Sequence, residues 1–200
     1  MKKNLRFKLQ KTGHLIKLSI GFLLSPVLLF QATSAYSQPP AALITNITAT
    51  TANSYTLGEL VTGVTVYSDR TYQATSVPAF LNNASFIQTP NNDKSNSAVS
   101  LLSFDLTKSA IVYIAYDPRA KSLPAWLTGF QKLTSRLGFN DPAISYLELY
   151  SKIYPAGPVT LGGNLASPAA GSKDNYLVIA LPQTYNLTIT AIGSGGVTKN

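Results

Sequence analysis

The sequence predicts an all-β fold, a single antiparallel β-sandwich of jelly-roll or immunoglobulin-like kind, with at most a one-turn helix near residues 123–130. Three observations carry this. Charged residues make up only 12% of the chain while Tyr, Val, Ile, Thr and Phe recur, a composition that suits pleated, half-buried surfaces. Short apolar runs are punctuated by Gly and Pro. Eight or more such runs follow one another through loops, with almost no helical pattern between them, which argues for a sandwich. A closed barrel would give much the same pattern.

Taken in order, residues 43–49 (LITNITA) and 61–67 (VTGVTVY) are short, Thr-rich and suited to strands, whereas Asn82–Asn83 and the polar run 89–97 (TPNNDKSNS) read as turns or solvated loops. The strongest apolar block is LLSFDL at 101–106 and AIVYIAY at 110–116, separated by Thr107, Lys108 and Ser109. Two runs with so short a break predict a hairpin. The second is apolar at both alternating sets of positions, so it is expected to be central and covered on both faces. In SLPAWLTGF, residues 122–130, Pro124 suits a first helical position, Ser122 a cap, and Leu123, Trp126, Leu127 and Phe130 share a helical face. Gly129 limits that helix to about one turn. Further strands are expected near 145–150, 158–161 and 175–181. Residues 184–192 (TYNLTITAI) alternate cleanly and predict a half-exposed strand.

The formal charge of +8 is unevenly placed. Six basic residues and no acid lie in residues 1–37, leaving ten basic and eight acidic residues for the remainder. The basic segment 1–17 precedes an apolar stretch, LSIGFLLSPVLLF, and the small residues Ala35 and Ser37 precede Gln38. This order predicts a signal peptide over residues 1–37 and export of residues 38–200, outside the cell or in the periplasm, with no membrane span after cleavage. The apolar stretch is shorter than the ~20 residues a spanning helix needs. Residues 38–200 are expected to form one domain, large enough to bury roughly 70% of its unfolded surface.

The chain has no Cys, and its single His and single Met (His14, Met1) fall in the leader. These counts exclude a Ser-His-Asp triad, a Cys nucleophile, a Cys/His zinc site and a disulfide framework in the remainder. With so little net charge beyond residue 37, neither nucleic acid nor an anionic membrane is an expected partner.

Several phrases occur in a telling order: VYSDRTYQATSVPAFLNNASFIQTPNNDKSN (66–96), AIVYIAYDPRAKSLPAWL (110–127), LYSKIYPAGPVTLGGN (149–164) and NYLVIAL (175–181). Together, over about residues 55–182, they resemble a β-sandwich accessory module of secreted bacterial proteins, often appended to polysaccharide-degrading enzymes. The resemblance implies a non-catalytic module and defines no ligand. One departure is Asn92, where that family more often has an acid.

Candidate site residues follow from chemistry. Asp117 and Arg119, in YDPRA, could bind sugar hydroxyls bidentately; alternatively Asp117 caps the turn at Pro118 and Arg119 pairs with a neighbouring acid. Trp126 offers a stacking face, yet its neighbours Leu123, Leu127 and Phe130 favour a role in the core. Tyr146, Tyr150 and Tyr154 are spaced by four, and Tyr146 and Tyr150 share a face if residues 145–150 are a strand. Tyr150, Asp93 and Lys94 complete the ligand-binding set. Asp69–Arg70 repeats the acid–base pairing, and both pairs read as partly buried ion pairs. Asn91, Asp93 and Asp117 are candidate oxygen ligands for Ca²⁺, the one cofactor considered; a solvated turn is the alternative. Leu161-Gly162-Gly163-Asn164 lacks phosphate-loop spacing and reads as a turn needing positive φ. A hydrolase would have to rely on paired carboxylates among Asp93, Asp117, Asp141 and Glu148, and no two carry a recognisable motif.

The sequence thus leads to an exported binding module, with polysaccharide or a cell-surface glycan as expected ligand. The competing reading is a structural or interaction protein of the envelope or matrix, pairing through the 184–192 segment as an edge strand. A carboxylate hydrolase is a third.

Overall fold

The computed structural model describes residues 42–184. Ten strands run in chain order: β1 (Ile44–Ala49), β2 (Thr56–Leu60), β3 (Ala74–Ser76), β4 (Ala84–Gln88), β5 (Leu102–Leu106), β6 (Ala110–Tyr116), β7 (Gln131–Phe139), β8 (Tyr146–Tyr154), β9 (Gly157–Leu161) and β10 (Leu177–Pro182). They form two antiparallel sheets. One has the order β1-β5-β9, the other β2-β4-β10-β6-β8-β7-β3. The fold is an all-β sandwich.

Two apolar layers follow from this arrangement. On one side of the larger sheet, Val112, Ile114 and Tyr116 of β6 and Val178 and Ala180 of β10 meet Ile44, Leu102, Phe104, Leu106, Val159 and Leu161 of the smaller sheet. On the other side, Leu177, Ile179, Phe86, Leu147 and Leu149, with Leu137 and Phe139 of β7 beside them, are covered by the chain's own return, chiefly Val66, Tyr67 and Leu81. A sheet packed on both faces needs strands without a polar face. β6 is such a strand: it pairs with β10 on one side (Ile114 opposite Val178) and β8 on the other (Ile114 opposite Tyr150). It is central and buried on both faces, as its sequence predicts.

The expected hairpin between 101–106 and 110–116 does not form. β5 belongs to the smaller sheet and β6 to the larger, so Thr107–Ser109 cross from one layer to the other. The burial pattern supplies the reason. β5 alternates, with Leu102, Phe104 and Leu106 buried and Ser103 and Asp105 partly exposed, so it lies face-to-face over a strand such as β6.

Other expectations shift. The strand comes before 61–67, at β2, and 61–67 itself bends through Gly63, whose φ is +89°, leaving isolated pairings at Thr65 and Tyr67. Residues 89–97 are not a solvated loop: Asn91–Ser95 form a 3₁₀ turn with Thr89, Asn91 and Asp93 buried. The helix near 123–130 shrinks to a 3₁₀ turn, Ala125–Leu127. Ser122 does not cap it, because its hydroxyl donates to the Pro168 carbonyl at 2.6 Å. Leu123, Trp126, Leu127 and Phe130 nonetheless all pack on the first core. The 184–192 segment, like the leader, lies outside the described residues apart from Thr184. Among the described residues, no helix is long and apolar enough to cross a membrane.

Candidate functional site

The loops that follow β4, β6 and β9, and the segment that enters β10, meet in one cluster of buried polar groups. Each phrase quoted above contributes to it. Asp69 accepts the main-chain N–H groups of Asn91 (2.7 Å) and Asn92 (2.9 Å), which holds the 3₁₀ turn after β4. Arg70 pairs with Asp69 at 3.2 Å and donates to Asn92 Oδ1 at 2.7 Å. The Asn91 side chain donates to Asp174 at 3.0 Å and accepts from Asn175 N at 2.8 Å. Thus Asn91 ties this turn to the entry of β10.

Asp117 sits at the centre, 2% exposed. Its carboxylate accepts the Arg119 guanidinium (Nε at 2.9 Å, NH2 at 2.8 Å) and the main-chain N–H groups of Arg119 (2.8 Å), Lys173 (2.6 Å) and Asp174 (2.9 Å). Burial alone pushes this carboxyl up, but the side-chain and main-chain donors outweigh it and hold the group below the ordinary carboxylate value. Arg119 also reaches Asp174 at 2.6 Å. Asp174 moves the opposite way, raised chiefly by burial despite the Asn91 bond. Both alternatives weighed for Asp117 and Arg119 as structural residues are realised together, since Asp117 organises the turn and Arg119 pairs with two acids.

Asp93 accepts from Thr51 Oγ1 (2.7 Å), Asn53 Nδ2 (2.7 Å) and Tyr55 OH (2.6 Å), so it anchors the β1–β2 loop. Burial and the Asp93 carboxylate together raise the Tyr55 hydroxyl far above its usual range. Asn164 donates to the Lys94 carbonyl at 2.8 Å; Lys94 therefore enters through its main chain, with its side chain half-buried. Buried Tyr67, Tyr116 and Tyr176 donate to the carbonyls of Asn175 (2.7 Å), Asn164 (2.6 Å) and Gly162 (3.0 Å). Burial pushes the Tyr116 hydroxyl up to about 12. Such networks fix loops in one arrangement, although the buried Asn164 Oδ1 accepts no hydrogen bond from the described residues.

The oxygens of the residues considered for calcium are already engaged. Asn91, Asp93 and Asp117 each spend their oxygens on different protein donors, and among the described residues no group of three or more acidic side chains is placed to hold a metal. Trp126 donates from Nε1 to the Gly163 carbonyl at 3.0 Å and tilts onto Tyr176, centroids 5.0 Å apart. Gly162 and Gly163 do not adopt positive φ. They are small because neighbours press on them: a Cβ on Gly162 would lie 2.5 Å from Trp126 Cδ1, and one on Gly163 would strike the Asn96 carbonyl. Tyr150 is 6% exposed and closes the edge of the first core. Of the remaining carboxylates, Asp141 accepts from Ala143 N and Ile144 N, and Glu148 pairs with Lys132.

A hollow of about 490 Å³, lined by Pro118, Arg119, Asp141 and Tyr146 among others, borders this cluster; a second, apolar one lies elsewhere. Where the returning chain stops covering the larger sheet, Ile111 and Tyr113 of β6, Ile153 of β8 and Leu133 of β7 line a groove of about 610 Å³, with Phe80 at its rim. Phe80 is 44% exposed and Ile153 56%; the Phe80 ring tilts onto Tyr113 at 5.8 Å between centroids. Gln131, Thr134, Ser135 and Ser151 supply amide and hydroxyl groups around this apolar floor, Lys152 joins them, and among the described residues no carboxylate lines it. The sequence reading missed this groove. Its signal was present in β8, where Leu147, Leu149 and Ile153 share a face opposite the tyrosines, but β7 was not recognised as a strand, and without β7 the groove has no wall.

Comparison with solved structures places this fold in context. The chain is similar to part of a β-glucuronidase from glycoside hydrolase family 2, with a TM-score of 0.62 and 20% identity, over 69% of this chain and 14% of that enzyme. A weaker likeness, TM-score 0.46 and 14% identity, links 68% of this chain to 16% of a GH138 enzyme targeting pectin rhamnogalacturonan II. No family model and no curated protein matches the sequence. The chain spans only 14% of that β-glucuronidase's length.

Proposed function

We propose that this chain is an exported, non-catalytic binding module for extracellular polysaccharide, held in the groove over β6, β7 and β8. The single observation that carries the reading is the groove's make-up. Three aliphatic side chains (Ile111, Leu133 and Ile153) and Tyr113 form an apolar floor with the exposed Phe80 ring at its rim, bordered by amide and hydroxyl groups. Sugar rings present apolar C–H faces and a rim of hydroxyls, so such a surface complements them. Nothing in the lining is suited to protonating a glycosidic oxygen, which supports binding without hydrolysis. Export rests on the order of basic segment, apolar stretch and small residues in residues 1–37. The fold likeness to part of a glycoside hydrolase agrees with a carbohydrate-linked role.

The test is a screen of the purified protein against neutral and acidic polysaccharides, with reducing-end release measured in parallel. Saturable binding without release is the expected result. Binding to none overturns the reading and directs the search to protein partners, while release of reducing ends revives the carboxylate hydrolase.

A further inference from the structure

The face of β8 that carries Tyr146, Tyr150 and Tyr154 is a row of aromatic rings, each covered by a cation. The Arg136 guanidinium lies 4.2 Å from the Tyr146 ring centroid. Lys132 Nζ lies 5.8 Å from Tyr150, and Lys152 Nζ 5.1 Å from Tyr154 and 5.6 Å from Phe130. The tyrosines recur every four residues along one strand, so neighbouring cations are spaced on the order of 13 Å apart along it. A cation held over a ring stays partly desolvated and keeps its donors directed outward.

This row is not charge-balanced. β7 and β8 carry three cations and a single carboxylate, Glu148, which pairs with Lys132. Among the described residues Arg136 and Lys152 form no ion pair, although the chain beyond residue 37 is nearly neutral. Among the described residues, no strand pairs with residues 131–137 of β7 on their outer side, because β3 pairs only at Gly138 and Phe139. The hollow beside Lys132, Arg136 and Glu148 shares Leu133 and Thr134 with the apolar groove, so the two surfaces are continuous across this edge.

We infer that the polysaccharide bound in the groove is acidic, and that Arg136 and Lys152, with Lys132, receive its uronate carboxylates where the chain crosses the edge of β7. This rests on the binding-module reading and specifies its ligand class. A guanidinium and two ammoniums at this spacing suit a polymer that carries carboxylates repeatedly along its length, with one cation meeting about every third sugar, and each contact would be a charge-assisted hydrogen bond.

The experiment compares polygalacturonate with its fully methyl-esterified form, which keeps the backbone and removes the charge. Each is titrated against the full chain and against the Arg136→Ala/Lys152→Ala variant, with Lys108→Ala as a control for loss of positive charge. The basic leader is common to all three proteins. The expected result is binding of the acid form that weakens about tenfold or more on esterification and in the double variant, falls with added salt, and is unchanged in the control. Should the double variant melt early, the exposed single substitution Lys152→Gln takes its place. Equal binding of acid and ester, or full binding by the variant, overturns the inference and leaves the module reading standing. Equal binding of a single-stranded oligonucleotide also overturns it, by showing general polyanion affinity. No binding of any glycan sinks both.

Discussion

One guanidinium, that of Arg119, joins Asp117 (2.8 Å) to Asp174 (2.6 Å), two acids that lie 57 residues apart in sequence. It ties the loop after β6 to the entry of β10. Asp117 in turn takes three main-chain N–H groups that no other group satisfies. Asp117→Ala should therefore cost about 3–5 kcal/mol, as expected when a buried pair loses one partner. Arg119→Ala should cost less, since its side chain is 28% exposed and water can replace part of what it gives. Urea unfolding of the two variants checks the order.

The same pair makes a pH prediction with two signs. Asp117 is depressed in the folded state, so its contribution is fully present above the ordinary value of 3.8 and is lost as pH falls through the folded value. Asp174 is raised, so its protonated form is favoured on folding and stability declines as pH rises from 3.8 through the raised value. Asp117→Asn should flatten the acid limb of the stability profile, and Asp174→Asn should flatten the decline just above it. Urea midpoints from about pH 3 to 7 separate the two effects.

Gly162 is required by close approach. Replacing it with Ala brings a methyl against Trp126 and the Val99 carbonyl, neither of which is a flexible chain end. Overpacking of this kind costs typically about 1–3 kcal/mol, so the melting temperature of Gly162→Ala should fall. Gly63→Ala is the contrast: its added methyl meets nothing within 4 Å, and any loss there reports the positive φ alone.

Calcium should not raise the melting temperature, nor a chelator lower it, because the oxygens of Asn91, Asp93 and Asp117 already accept from protein donors. A rise of several degrees on adding Ca²⁺ would contradict the arrangement of the loop after β4.

Much of the fold was legible because its signals are local. β6 declared itself by an apolar run with no polar face, and β1, β8, β9 and β10 by short Thr- or aromatic-rich runs near their observed places. The pairing of β5 was not legible, because a short polar break serves equally for a hairpin and for a crossing between layers; only the alternation in LLSFDL distinguishes them. β7 was hidden by its charges: Lys132 and Arg136 disguise the apolar set Leu133, Leu137 and Phe139. The polar motifs were legible one by one, but whether Asp117, Arg119 and Asp93 face solvent or protein partners depends on residues 38 to 57 positions away, and no spacing in the sequence encodes that. Once in place, they hold loops, while the groove is built from residues that carry no motif.

The proposed division of labour puts the glycan in the groove and leaves the buried polar cluster to hold the fold. Its most direct measurement pairs glycan titration with thermal melting for Phe80→Ala and Ile153→Gln, both on exposed side chains. The account predicts that each variant melts within a degree or two of the parent and binds at least several-fold more weakly, since an exposed aromatic platform is lost. Unchanged affinity in both variants, with the parent binding well, would contradict it and move the binding surface off this face of the sheet.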